Sequence, residues 1–112
     1  MDKEKKETIQ SAIEYLDRLI PGMERHIHDF RQGDIAVALR QLPDIIEGID
    51  WLLHTVVLCQ SELPVKIDIT DISQHVEEML SAIENADYVL LADLFEYEVI
   101  PVLRDWLEKM KP

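Results

Sequence analysis

The chain has 112 residues with 23 acidic and 11 basic side chains, a net charge of −12. At 47% hydrophobic and 30% charged it can bury a core, and its length predicts one domain spanning 1–112. The charge argues against free-standing binding to nucleic acid or to anionic lipid, where affinity comes from neutralising phosphates. The single cysteine, Cys59, excludes an internal disulfide and fits a reducing compartment. The start, MDKEKKETIQ, is too polar for a secretory signal, and no apolar run reaches the length of a membrane span. The expected setting is the cytoplasm.

Taken in chain order, Ile9, Ile13, Leu16, Ile20, Met23, Ile27 and Phe30 recur at alternating steps of four and three, the rhythm of a helix on a bundle seam. Ile35, Leu39, Leu42, Ile46, Ile49, Leu53 and Val56 repeat it, and Ile72, Val76, Met79, Ile83 and Ala86 begin it a third time. Between the first two stripes, Gln32-Gly33-Asp34 offers a glycine to end one helix and an aspartate to cap the next. Asn85-Ala86-Asp87 looks like the same device, with Asp87 capping a last helix from Tyr88 to about Met110. Such short links force antiparallel neighbours. From Gln60 to Thr70, Pro64 stops the helix and Val65, Ile67 and Ile69 alternate with polar residues, predicting a short extended stretch along one edge. Asp68 or Thr70 would cap the third helix. The fold class is therefore all-α: a four-helix bundle of two antiparallel hairpins joined by an extended connector at about 60–70.

Pro21, Pro43 and Pro101 fall inside these stripes. The apolar phase continues across Pro21 and Pro43, which favours kinked helices; the rival reading puts each proline in the first turn of a new helix. A shift of 53 residues aligns Glu24, Ile27, Phe30 and Asp34 with Glu77, Leu80, Ile83 and Asp87. Asp50-Trp51-Leu52 and Asp105-Trp106-Leu107 then match after a two-residue adjustment. A duplicated hairpin would look like this, and so would any two amphipathic hairpins.

From Asp44 to Glu98 there are 13 acidic residues against Lys66 alone, while the remainder sums to zero. One reading is plain solubility; the other is a docking surface for an Arg/Lys-rich partner. Little in the sequence carries chemistry. His26, His28, His54 and His75 lack the paired Glu-x-x-His pattern of carboxylate-bridged metal bundles. Cys59 follows a strongly apolar stretch and reads as a small buried hydrophobe. There is no Gly-rich phosphate loop, nucleophile elbow or Cys-x-x-Cys pair. No catalytic residue, cofactor or metal is expected, so the protein is not expected to be an enzyme.

The last helix is apolar round well over half its circumference. Such a helix is central in its fold or has one face covered by a partner. Tyr88, Phe95, Val99, Val102 and Trp106 would line the second face, serving a homodimer or a partner helix; the competing reading is a wide core face augmented by the connector. Trp51 and Trp106 are expected near helix ends with their indole N–H groups wet.

The segment ADYVLLADLFEYEVIPVL, Ala86–Leu103, resembles the closing helix of small uncharacterised helical-bundle proteins of Gram-positive bacteria. That resemblance implies a helical bundle in a bacterial cytoplasm and brings no site residues with it. A broader similarity in size, charge and fold class links the chain to flagellar and secretion export chaperones. The function expected is a non-enzymatic protein–protein interaction module, self-associating as a homodimer through its last helix, with an acidic surface for a basic partner. The alternatives are an export-type chaperone for an amphipathic client helix and a metal-binding bundle using His28, His54 or His75.

Overall fold

The structure is a computed structural model that describes residues 2–112. Helix α1 spans Lys3–Arg31 and α2 spans Ile35–Leu58. A 3₁₀ turn, Gln60–Glu62, leads through the connector to α3, Thr70–Glu84. The last helix runs without a break as α4 (Tyr88–Leu94), a π-helical turn (Phe95–Val99) and α5 (Ile100–Met110). No strand occurs among the described residues.

Both interior prolines lie within unbroken helices, so the reading of each as a new first turn does not hold for them. Pro21 and Pro43 are exposed, as are Asp17 and Leu39, whose carbonyls lose their helical partner to the prolines. Pro101 acts differently. It leaves Tyr97 without its usual donor, and just upstream the helix widens so that the Ile100 N–H donates to the Phe95 carbonyl, five residues back.

The two hairpin turns share one geometry. In the first, Gly33 is left-handed at φ 86°, its N–H donates to the Phe30 carbonyl at 3.2 Å, and the Asp34 N–H reaches back to Asp29 at 2.9 Å. In the second, Ala86 takes φ 52°, with Ala86 N–H to Ile83 at 3.0 Å and Asp87 N–H to Ala82 at 2.8 Å. The four residues bonded in each turn correspond under the shift of 53 residues, but α1 has 29 residues and α3 only 15. Of the two aspartates, Asp87 caps its helix by accepting from Leu90 N–H at 3.1 Å; Asp34 stands at the start of α2 without a side-chain capping bond. Ala86 holds a backbone conformation that costs an L-residue about 1 kcal/mol and glycine almost nothing. Ala86→Gly is therefore expected to raise stability by roughly 0.5–1 kcal/mol, read as a higher urea midpoint with unchanged slope. A lower midpoint would mean that the turn is not left-handed there.

The connector is only partly as expected. Ile67 is buried and Ile69 half-buried, but Val65 is exposed, so the alternation does not press one whole face onto the bundle. Gln60 holds Ile67 in place, its side-chain amide bonding both the backbone N–H and the carbonyl of Ile67. Asp68 accepts from the Thr70 hydroxyl at 2.7 Å and the Thr70 N–H at 2.9 Å, which keeps its carboxyl below the usual range. Ile69, not Asp68 or Thr70, occupies the residue before α3.

The hairpins join through α1, whose backbone lies close to α2 on one side and to both segments of the last helix on the other; α3 lies against α4 and the π-turn. At the junction Arg31 binds Asp93 and Glu96, each at 2.9 Å, and Arg104 binds Glu24 at 3.1 Å. The Arg31 guanidinium, assisted by the Tyr97 hydroxyl, holds the Glu96 carboxyl below its ordinary range. These exposed pairs set register more than stability. The core between them is filled by Leu16, Met23, Ile49, Leu52, Leu91, Phe95, Leu103 and Trp106.

Candidate interaction groove

The structure places the residues of the expected interaction face in or against the core of the single chain. Phe95 and Val99 are 0% exposed and Trp106 1% exposed within a single chain; Tyr88 and Val102 are half-buried against the same core. Tyr88 stacks on Phe30 of α1 with ring centroids 5.3 Å apart. The last helix has two apolar sides because it is central: α1 lies along all of it, and α3 lies against α4 and the π-turn. Of its own apolar residues, Val89, Leu90 and Tyr97 stay exposed. Of the two tryptophans, one differs from expectation. Trp106 is wholly enclosed, whereas Trp51 is 40% exposed and lies edge-on to Tyr15 at 5.7 Å.

An accessible apolar surface lies elsewhere, on the seam between α2 and α3. Each hairpin is closed within itself, and α1 seals them along the last helix, so α2 and α3 are left as outer helices without a comparable backbone contact. Between them runs a groove of about 250 Å³, lined by Ile46, Ile49 and Leu53 of α2 and by Val76, Met79 and Leu80 of α3. Ile49 and Met79 form the buried floor, Ile46, Leu53 and Val76 the half-buried walls, and Leu80 stands 50% exposed at the rim. Most of these residues belong to the apolar stripes, which do not distinguish a sealed seam from an open one. The available signals were the shortness of α3 and Leu80, an apolar residue just off its stripe.

The polar lining of the groove is Glu47 and Asp50, both exposed. Exposed Glu77 and Glu84 lie within one helical turn of Leu80 on α3, and α3 contains no lysine or arginine. The groove therefore falls within the acidic segment Asp44–Glu98. Its α3 wall is tied to the π-turn by His75, whose ring nitrogens lie 3.3 Å from Glu78 and 3.5 Å from Glu98.

The remaining chemistry-bearing residues do not assemble. His28, His54 and His75 sit on α1, α2 and α3 respectively, and no group of three or more His, Cys, Asp or Glu is placed to hold a metal among the described residues. Cys59 is buried, and burial pushes its thiol pKa up. His26 is 0% exposed, with Nε2 against the Ala38 carbonyl at 2.7 Å. No described helix is long and apolar enough to cross a membrane.

Two closed hairpins joined through α1, with one apolar seam left open under an acidic rim, define a small all-α bundle. The chain belongs to a family described as a domain of unknown function, DUF8042, whose model matches residues 7–109. No curated protein and no solved structure matches it significantly.

Proposed function

We propose that this protein is a non-catalytic interaction module whose α2–α3 groove receives an amphipathic helix with basic flanks. The observation that carries this reading is the open seam: apolar side chains at helical spacing on both walls, with Glu47, Asp50, Glu77 and Glu84 around them. From Ile46 to Leu53 the groove spans about 10 Å, room for two turns of a client helix with anchors at i, i+3 or i+4, and i+7. Burial of those anchors supplies the affinity, and lysines or arginines beside them meet the acidic rim and speed encounter. A groove open in the single chain is also what an export-type chaperone needs, and this is the narrower form of the proposal. Pairing two copies through the same groove would oppose two acidic rims, which disfavours self-association there.

The test uses a synthetic Leu/Lys amphipathic helix and its Leu/Glu counterpart, titrated by fluorescence anisotropy. The Leu/Lys peptide is expected to bind saturably and to weaken as salt rises, because the rim charges are solvent-exposed. Leu80→Asp, at a half-exposed position, is expected to leave the fold intact and weaken binding about tenfold or more. Equal binding of the Leu/Glu peptide, or full binding by the folded Leu80→Asp variant, overturns the proposal.

A further inference from the structure

A second cavity, of about 470 Å³, lies on the other flank of α2, between α1 and α2. Its floor is apolar: Leu19 and Ile45 are buried there, and Gly22 adds no side chain. On α1 the residues facing it recur at steps of three and four, namely Tyr15, Arg18, Gly22, Arg25 and Asp29. Tyr15 forms a fixed end wall. Its ring occupies the space where Gly48 of α2 has no side chain: a Cβ built there falls 1.8 Å from the Tyr15 hydroxyl oxygen. Trp51 braces the same ring edge-on. Half-burial and the nearby Asp44 carboxylate raise the Tyr15 pKa, so its hydroxyl stays protonated as a donor.

The charges around this cavity are unspent. Arg31 and Arg104 are both paired with carboxylates across a helix interface. Arg18 and Arg25 have no carboxylate within ion-pair distance among the described residues, although acidic side chains outnumber basic ones twofold in the chain. Asp29 and Asp44, lining the same space, are likewise without a cationic partner there. Guanidinium groups on the α1 wall thus face a carboxylate on the α2 wall across a gap neither bridges. A plain anion would leave Asp44 opposed, and a plain cation would leave the arginines opposed.

We propose that the α1–α2 cavity binds a small zwitterion with an apolar side chain, of the α-amino-acid type. Arg18 and Arg25 take its carboxylate, Asp44 takes its ammonium across the groove, and its side chain lies on Leu19, Gly22 and Ile45. The site is separate from the α2–α3 groove and stands without it.

The test is calorimetric titration of the full chain, at low salt, with L-leucine and L-phenylalanine. N-acetyl-L-leucine and L-leucinamide, each keeping one of the two charges, are the controls. Saturable binding of at least one amino acid is expected, with both blocked forms weaker by about tenfold or more. The double variant Arg18→Gln/Arg25→Gln and the single variant Asp44→Asn change only exposed side chains, so each is expected to keep its helical spectrum and lose binding by a similar factor. Absence of saturable binding by both amino acids overturns the proposal. So does N-acetyl-L-leucine binding as tightly as L-leucine, which would make the cavity an anion site, or undiminished binding by the folded variants.

Discussion

Phe95→Asp is expected to unfold the protein rather than to detach a partner from it. Phe95 is 0% exposed where the last helix widens into its π-turn, with the His26 ring 5.7 Å away and α1 and α3 on either side. An aspartate there either buries a carboxylate without a partner or forces the core open, and each route costs roughly 4–5 kcal/mol or more. Against a total of about 5–15 kcal/mol for a domain of this kind, a loss of that size or larger cancels the whole stability at the lower end of the range. Far-UV circular dichroism checks it directly: the variant should lose most of its helical signal, while Leu80→Asp keeps it. A helical, cooperatively melting Phe95→Asp protein would instead show that the broad apolar side of the last helix is not core, and the face of Tyr88, Phe95, Val99, Val102 and Trp106 would return as an interface.

Acid should loosen the same region through His26. This ring bonds the Ala38 carbonyl through Nε2, lies edge-on to Phe30 at 4.6 Å, and has Nδ1 buried with no hydrogen-bond partner. Its N–H therefore sits on Nε2, and a second proton on Nδ1 would place a cation in an enclosed aromatic site. Burial accordingly lowers its pKa, outweighing the Ala38 carbonyl and the Asp29 carboxylate, which act to raise it. The unfolded chain, with an ordinary histidine near 6.5, then binds more protons than the folded chain below that pH. His26 thus contributes stability that is complete above about pH 6.5 and is lost as pH falls towards the folded-state pKa, at up to about 1.4 kcal/mol per pH unit. Glu96 and Asp68, whose pKa values are lowered, add their own losses at more acidic pH, from the usual carboxylate range downwards. Urea midpoints between pH 7.5 and 5 should fall in the native protein and stay nearly level in His26→Ala, whose stability is already reduced by about 2–4 kcal/mol through the lost bond and cavity. A midpoint that declines equally in both proteins would assign the acid sensitivity to other groups.

Helix number, helix order and both tight turns were legible in the sequence because each rests on local physics. A three–four apolar stripe folds as a helix wherever it packs, and Gly33 and Asp87 act within a few residues of themselves. Pro21 and Pro43 were legible for the same reason: the apolar phase carried across them, and exposed positions leave their orphaned carbonyls to water. What only the tertiary structure decided is which apolar residues are sealed. Phe95, Val99 and Trp106 carry the same pattern as Ile46, Leu53 and Val76, yet the first three are buried within the single chain while the others line an open seam. Periodicity records that a helix has an apolar side; it does not record how many neighbours that side meets. The pairing of Tyr15 with the bare backbone of Gly48, and the unpaired Arg18, Arg25 and Asp44 beside it, depend on the approach of α1 to α2. That approach joins residues some thirty positions apart, beyond the reach of any local pattern.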